Sequence, residues 1–152
     1  TRASNVVISF VLDTDKQARV NAAIDNDISA IRRLSNTYNA CSTGGSAGSF
    51  STTGCGTYAE ANSYYYFPDP ASSSSVTGFD TACESDVAAS HITANFIAAA
   101  QATSGLPSEV SKTVQRQDGT NRYNNILVVS YAAPGGVSRR FLVSPFLSFW
   151  CK

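Results

Sequence analysis

Val20, Ile24, Ile28, Ile31, Leu34 and Tyr38 recur at spacings of 4, 4, 3, 3 and 4 residues. That rhythm draws one apolar stripe along a helix of about 3.6 residues per turn. Asp25, Asn26, Arg32, Arg33 and Ser35 fall on its other faces, and Asp15 and Arg19 stand four apart with the acid first, the favourable order. No glycine or proline occurs before Gly44, so nothing local interrupts a helix. The run Val6 to Leu12 is rich in β-branched residues and also reads as a strand, with Asp13 capping a shorter helix. The continuous reading, from about Ser4 to Asn39, is the one adopted. A helix with one wet face needs a partner for its dry one, and the rest of the chain must supply it.

The supply comes at the other end. Residues 112–151 read as β: Lys112 to Gln117, a tight hairpin at Asp118-Gly119, then Arg122 to Ala132. Ile126 to Val129 is apolar on both faces, as in a central strand. Ala133 to Gly136 turns the chain into Val137 to Val143, and Pro145 opens a last strand, Phe146 to Cys151. Between helix and sheet lie Ser/Gly-rich loops over 41–80, with a short strand expected at Tyr64 to Phe67 and a loop from Ala71 to Gly78. A second helix is expected from Ala82 to Thr103, with Thr81 and Glu84 at capping-box spacing and Ala88, Ile92, Phe96 and Ala99 as its stripe. The predicted fold is α+β, a single domain over 1–152 in which a long N-terminal amphipathic helix packs on an antiparallel sheet of three to four strands.

Four cysteines, Cys41, Cys55, Cys83 and Cys151, show no C-x-x-C spacing. An even count without metal spacing favours two disulfides and an oxidising compartment. Of the three connectivities, the favoured one joins Cys41 to Cys55 across a short loop and Cys83 to Cys151 from the middle to the end. Charged residues make up only 14% of the chain. Ser, Thr, Asn, Gly and Tyr carry its polarity, as suits a secreted or surface protein. There is no methionine, which leads us to expect that Thr1 follows a segment removed by processing or cutting. The longest apolar run is far short of the roughly 20 residues a spanning helix needs.

Chemistry-bearing patterns are sparse. His91 is the single histidine and is expected one position off the apolar face of the second helix, as a packed or surface residue. No G-x-S-x-G elbow is present, and the Gly-rich loop lacks the Lys-Ser/Thr end of a phosphate loop. Asp13, Asp15, Asp25 and Asp27 are read as a solvated helix face. We expect no catalytic residue, metal or cofactor. Charge is divided along the chain: residues 1–90 hold five bases and nine acids, residues 91–152 six bases and two acids. Lys112, Arg116, Arg122, Arg139 and Arg140 are therefore candidates for a basic surface that takes a glycan or DNA. The simpler reading is a basic sheet docking on an acidic helix.

A long amphipathic helix, a Gly-rich loop, a terminal antiparallel sheet and a cysteine at the C-terminal edge together resemble a bacterial type IV pilin. The resemblance rests on Gln17 to Tyr38 as the soluble half of the pilin helix and on Cys83 with Cys151 as the family's C-terminal disulfide loop. The second cysteine pair departs from the one-disulfide pattern and suggests a minor or divergent pilin. What the family implies is a structural subunit with other pilin subunits as partners. Its membrane contact would come only through a missing N-terminal segment, in the inner membrane before assembly into a cell-surface filament. Adhesion, motility or DNA uptake would be the service, not catalysis. The rival expectation is a secreted, disulfide-bonded binding or inhibitor domain.

Overall fold

A computed structural model of the chain describes residues 2–40, 48–50 and 73–152, the side chains of 2–13 and 73–75 excepted. The element order is α1 (Arg2–Thr37), α2 (Ser73–Cys83), a 3-10 turn (Ala88–Ser90), α3 (Ala94–Ala102), then β1 (Ser111–Arg116), β2 (Leu127–Ala133) and β3 (Val137–Val143), and a final 3-10 helix (Phe146–Trp150). The architecture is α+β: a long helix and a three-stranded antiparallel sheet in the order β1-β2-β3. Residues 6–12 are helical, so the strand reading of that run is not realised.

The stripe does what its spacing dictates. Val20, Ile24, Ile28, Ile31 and Tyr38 are buried in one core with Phe79, Phe96, Val114, Leu127, Val129 and Leu147, while Arg32 and Arg33 stay exposed. Leu34 is half-buried against the same core. α1 packs on α3, β3 and the C-terminal 3-10 helix. The sheet register sets Val114 beside Val129 and Val129 beside Phe141, one apolar row facing the helices. At the rim, Arg139 donates to Asp25 at 2.8 Å and the Arg32 guanidinium lies 5.9 Å from the centre of the Phe141 ring. Both contacts tie β3 to the flank of α1.

Tyr38 closes the helix end. Its hydroxyl donates to the Ile92 carbonyl at 2.7 Å, and its ring lies 5.0 Å from Phe50 and 5.6 Å from Phe96. Burial pushes the phenol well above its ordinary range, partly offset by backbone hydrogen bonds from residues 95 and 96. The backbone of residue 48 runs so close to that ring that any Cβ there would overlap it, and its φ is +47°. Only glycine fits at Gly48.

Several sequence expectations are corrected. The single helix over Ala82–Thr103 is broken: α2 ends at Cys83, and α3 begins only at Ala94. The Ser85 hydroxyl accepts from the Val87 amide at 3.2 Å, a local bond that competes with helix. His91 backbone is extended. Residues 73–78, expected as loop, are helical, because Val76, Phe79 and Cys83 form a face whose last two members are buried. Thr81 is therefore no N-cap; its hydroxyl donates back to the Thr77 carbonyl at 2.8 Å, inside α2.

Asp118-Gly119 is not a tight hairpin. The register pairs Arg116 with Leu127, which leaves residues 117–126 as the connection. Within it Asp118, Asn121 and Asn124 side chains accept from the amides of Thr120, Tyr123 and Ile126, building turns of their own. The strand expected from Arg122 to Ala132 accordingly begins at Leu127. The fourth strand, Phe146 to Cys151, is a 3-10 helix instead. There the Ser148 amide and hydroxyl both bond the Pro145 carbonyl, and Leu147 and Ser148 are buried together between exposed Phe146 and Phe149, a pattern no strand can make. The β2–β3 turn holds as read, with Gly135 and Gly136 at φ +86° and +77°. The strand at Tyr64 to Phe67 and the loop from Cys41 to Gly56 lie largely or wholly outside the described residues.

Candidate functional site

Cys83 and Cys151 form a disulfide that spans 68 residues of chain. It fastens the end of α2 to the segment just past the C-terminal 3-10 helix. Ser35 on α1 adds a second tie there, its hydroxyl donating to the Ser144 carbonyl at 2.9 Å. Cys41 and Cys55 lie outside the described residues.

The five bases do not converge. Lys112 is corrected outright: its side chain is 4% exposed and its ammonium faces Asp27 inside the core, so it offers nothing to an external ligand. Arg116 is spent on the loop, donating to the carbonyls of Gly119 and Asn121. Arg122 stands against the ring of Tyr123, 5.0 Å from its centre, with Asp86 3.6 Å away. Arg139 is paired with Asp25. Arg140 is exposed and belongs to the opposite sheet face, because its neighbours in register alternate with Arg139 and Phe141. Two of the five meet at the 117–126 loop, two more lie on opposite faces of β3, and Lys112 is interior.

Inside, the seam between α1, α3 and the sheet carries a polar knot. Asp27, 3% exposed as a residue, accepts from the Tyr131 hydroxyl at 2.6 Å, from the Thr103 hydroxyl at 2.5 Å and from Lys112 Nζ at 3.2 and 3.3 Å. Nζ also donates to the Ala100 carbonyl at 2.8 Å, the Thr103 carbonyl at 3.3 Å and Thr103 Oγ1 at 2.5 Å. Every donor and acceptor in the group is used, as burial requires. Desolvation, followed by the bond to the Asp27 carboxylate, pushes the Tyr131 phenol far above its ordinary range. The acidic-face reading of Asp27 is thereby corrected. The sign was in the spacing: Asp27 lies three residues after Ile24 and four before Ile31, on the stripe itself.

His91 is fully buried in an irregular segment, not beside a helix stripe. Nδ1 accepts from the Thr93 amide at 3.2 Å and lies 2.7 Å from its hydroxyl, so Nε2 carries the proton and donates to the Arg122 carbonyl at 2.8 Å. Burial pulls its pKa down, the Arg122 carbonyl pushes back, and Arg116 lowers it further. The imidazole is neutral and fully engaged, a strut between the 91–93 segment and the 117–126 loop. Among the described residues no group of three His, Cys, Asp or Glu gathers for a metal.

The outer features of the molecule are a helix flank and an aromatic edge. All side chains from Thr14 to Arg19 are exposed, and α1 backbone continues N-terminally from there to Arg2. Where α1 leaves the sheet, Lys16, Gln17 and Val20 face Glu109 and the Pro134–Val137 turn across a cleft of about 240 Å³. Beyond the other end of α1, Phe149 is 66% exposed, with its ring 5.4 Å from that of Phe146. Tyr123 stands out from the 117–126 loop at 57%. Among the described residues no helix is long and apolar enough to cross a membrane. No protein-family model, curated protein or solved structure matches the chain.

Proposed function

We propose that this chain is a structural subunit of an extracellular filament of the type IV pilin kind, with other copies or related subunits as its partners. The observation that supports this reading is the division of α1. Its C-terminal half, Val20 to Tyr38, is the spine of the core, whereas its helical backbone runs on from Arg19 to Arg2, roughly 27 Å at about 1.5 Å per residue. A helix of that length is suited to two tasks at once: in this reading its C-terminal half organises the domain and its N-terminal half packs among neighbours. The sequence of the N-terminal half agrees, since Val6, Val7, Ile8, Phe10, Val11 and Leu12 are apolar and suit packing among neighbouring subunits. The Cys83–Cys151 disulfide suits an oxidising exterior.

In this reading the sheet, the disulfide and the exposed aromatic edge face outward and serve adhesion, motility or DNA uptake. No chemistry is assigned to any side chain. The test is to express the complete reading frame that contains this chain and to locate the product. Recovery in sheared surface filaments, with about 20 apolar residues preceding Thr1, supports the proposal. A product released in soluble form after removal of an ordinary signal peptide overturns it in favour of a secreted binding domain.

A further inference from the structure

Lys112 and Asp27 meet in an arrangement that goes beyond an ion pair. We propose that the two side chains are joined by an intramolecular amide bond between Nζ and Cγ, formed after folding with loss of one water. Four observations carry this. The amine and the carboxylate are 4% and 1% exposed, so both are shielded from solvent. Nζ is nearly equidistant from the two carboxylate oxygens, at 3.2 and 3.3 Å, so it already lies beside the carboxyl group it would join. Two backbone carbonyls, those of Ala100 and Thr103, accept from Nζ at 2.8 and 3.3 Å and help to fix its position. Finally, Thr103 Oγ1 touches both reactants, accepting from Nζ and donating to Oδ1, each at 2.5 Å.

The atoms balance without an oxidant or a cofactor. One proton passes from the ammonium to the carboxylate, giving amine and acid. The nitrogen lone pair attacks Cγ, and the negative charge that develops on Oδ2 is met by the Tyr131 hydroxyl, already 2.6 Å away. A second nitrogen proton crosses the Thr103 hydroxyl to Oδ1, which departs as water. The C–O bond to Oδ1 breaks, the N–C bond remains, and Oδ2 becomes the amide oxygen, still bonded to Tyr131. Fixed geometry replaces the encounter of two free groups, the source of most intramolecular rate gains. The product ties α1 to β1 across 85 residues of sequence, at the seam where the helix spine meets the sheet.

The experiment is intact mass on the folded chain, followed by proteolytic mapping under reducing conditions. The expected result is a mass one water below that of the reduced sequence, with one branched peptide carrying residues 27 and 112. Lys112→Arg keeps a cation opposite Asp27 but cannot form the amide, and should restore the full mass. Thr103→Val removes the proton bridge and should leave a mixture that converts slowly. A wild-type chain at full mass overturns the proposal. So does a one-water loss that maps to Asp118-Gly119, where a cyclic imide gives the same mass, or that survives Lys112→Arg.

Discussion

Asp27 and Lys112 lie on opposite sides of the helix–sheet seam with their charged atoms 3.2 Å apart, and both side chains are almost wholly buried. A carboxylate from the middle of the spine thus determines where β1 sits. It reaches β2 as well, because Tyr131 donates to the same group. The apolar stripe gives α1 a face, but an apolar face alone can slide. The Asp27 group fixes both the height and the rotation of the helix on the sheet.

Asp27→Ala should therefore be among the most damaging single changes in the chain. It leaves a buried ammonium without its partner, a loss of about 3–5 kcal/mol. Replacing both members together, Asp27→Leu with Lys112→Met, removes the stranded charge and should cost much less than the sum of the single changes. Chemical denaturation of the two single variants and the double variant checks this as a cycle. Additive losses would show that the pair is not coupled.

His91 makes stability depend on pH in a direction that can be worked out. Its folded-state pKa is lowered from 6.5 by burial and by Arg116. Below pH 6.5 the unfolded chain binds a proton that the folded chain refuses. Stability is thus fully present above about pH 6.5 and falls as the pH drops from there toward the lowered folded value. Urea midpoints at pH 7.5 and 5.5 should differ in that sense. His91→Gln should lower the midpoint at pH 7.5 but shrink the difference between the two. An unchanged pH difference in the variant would assign the effect to carboxylates instead.

The disulfide closes a long loop, its cysteines standing 68 positions apart in sequence. Loop-closure entropy gives it about 4 kcal/mol. Alkylation of the denatured, unreduced chain should leave Cys83 and Cys151 unlabelled. Cys83→Ser with Cys151→Ser should lower the thermal midpoint by many degrees. It should also loosen residues 149–152 first, since beyond the buried Leu147 and Ser148 the disulfide is the tie that fastens the chain end to α2.

Much of this fold was legible because periodicity reports burial directly. The spacing from Val20 to Tyr38 located the spine, and the Val137 to Val143 strand and its Gly-Gly turn were readable to the residue. Where burial is set by tertiary partners, local reading failed. Phe146 to Cys151 has the composition of a strand, yet the turn bonds at Pro145 and the burial of Leu147 and Ser148 go with a 3-10 helix over Phe146–Trp150. Thr81 and Glu84 have capping-box spacing, but the face of Val76, Phe79 and Cys83 starts the helix earlier. The charged interior was the hardest to see, since Asp27 and Lys112 are 85 residues apart in sequence. A charge on an apolar stripe signals a hidden partner without saying which one.

The filament reading depends on the N-terminal half of α1 acting between subunits and not within this domain. The most direct measurement changes Val7, Phe10 and Val11 together to Ser and follows two quantities: the thermal midpoint of the 152-residue chain, and the yield of surface filaments from cells carrying the full-length protein. The expected result is an unchanged midpoint with filaments strongly reduced. Core positions would instead cost roughly 2–5 kcal/mol for each large-to-small change. Collapse of the thermal transition in the isolated chain, or a full filament yield from the substituted protein, would contradict it.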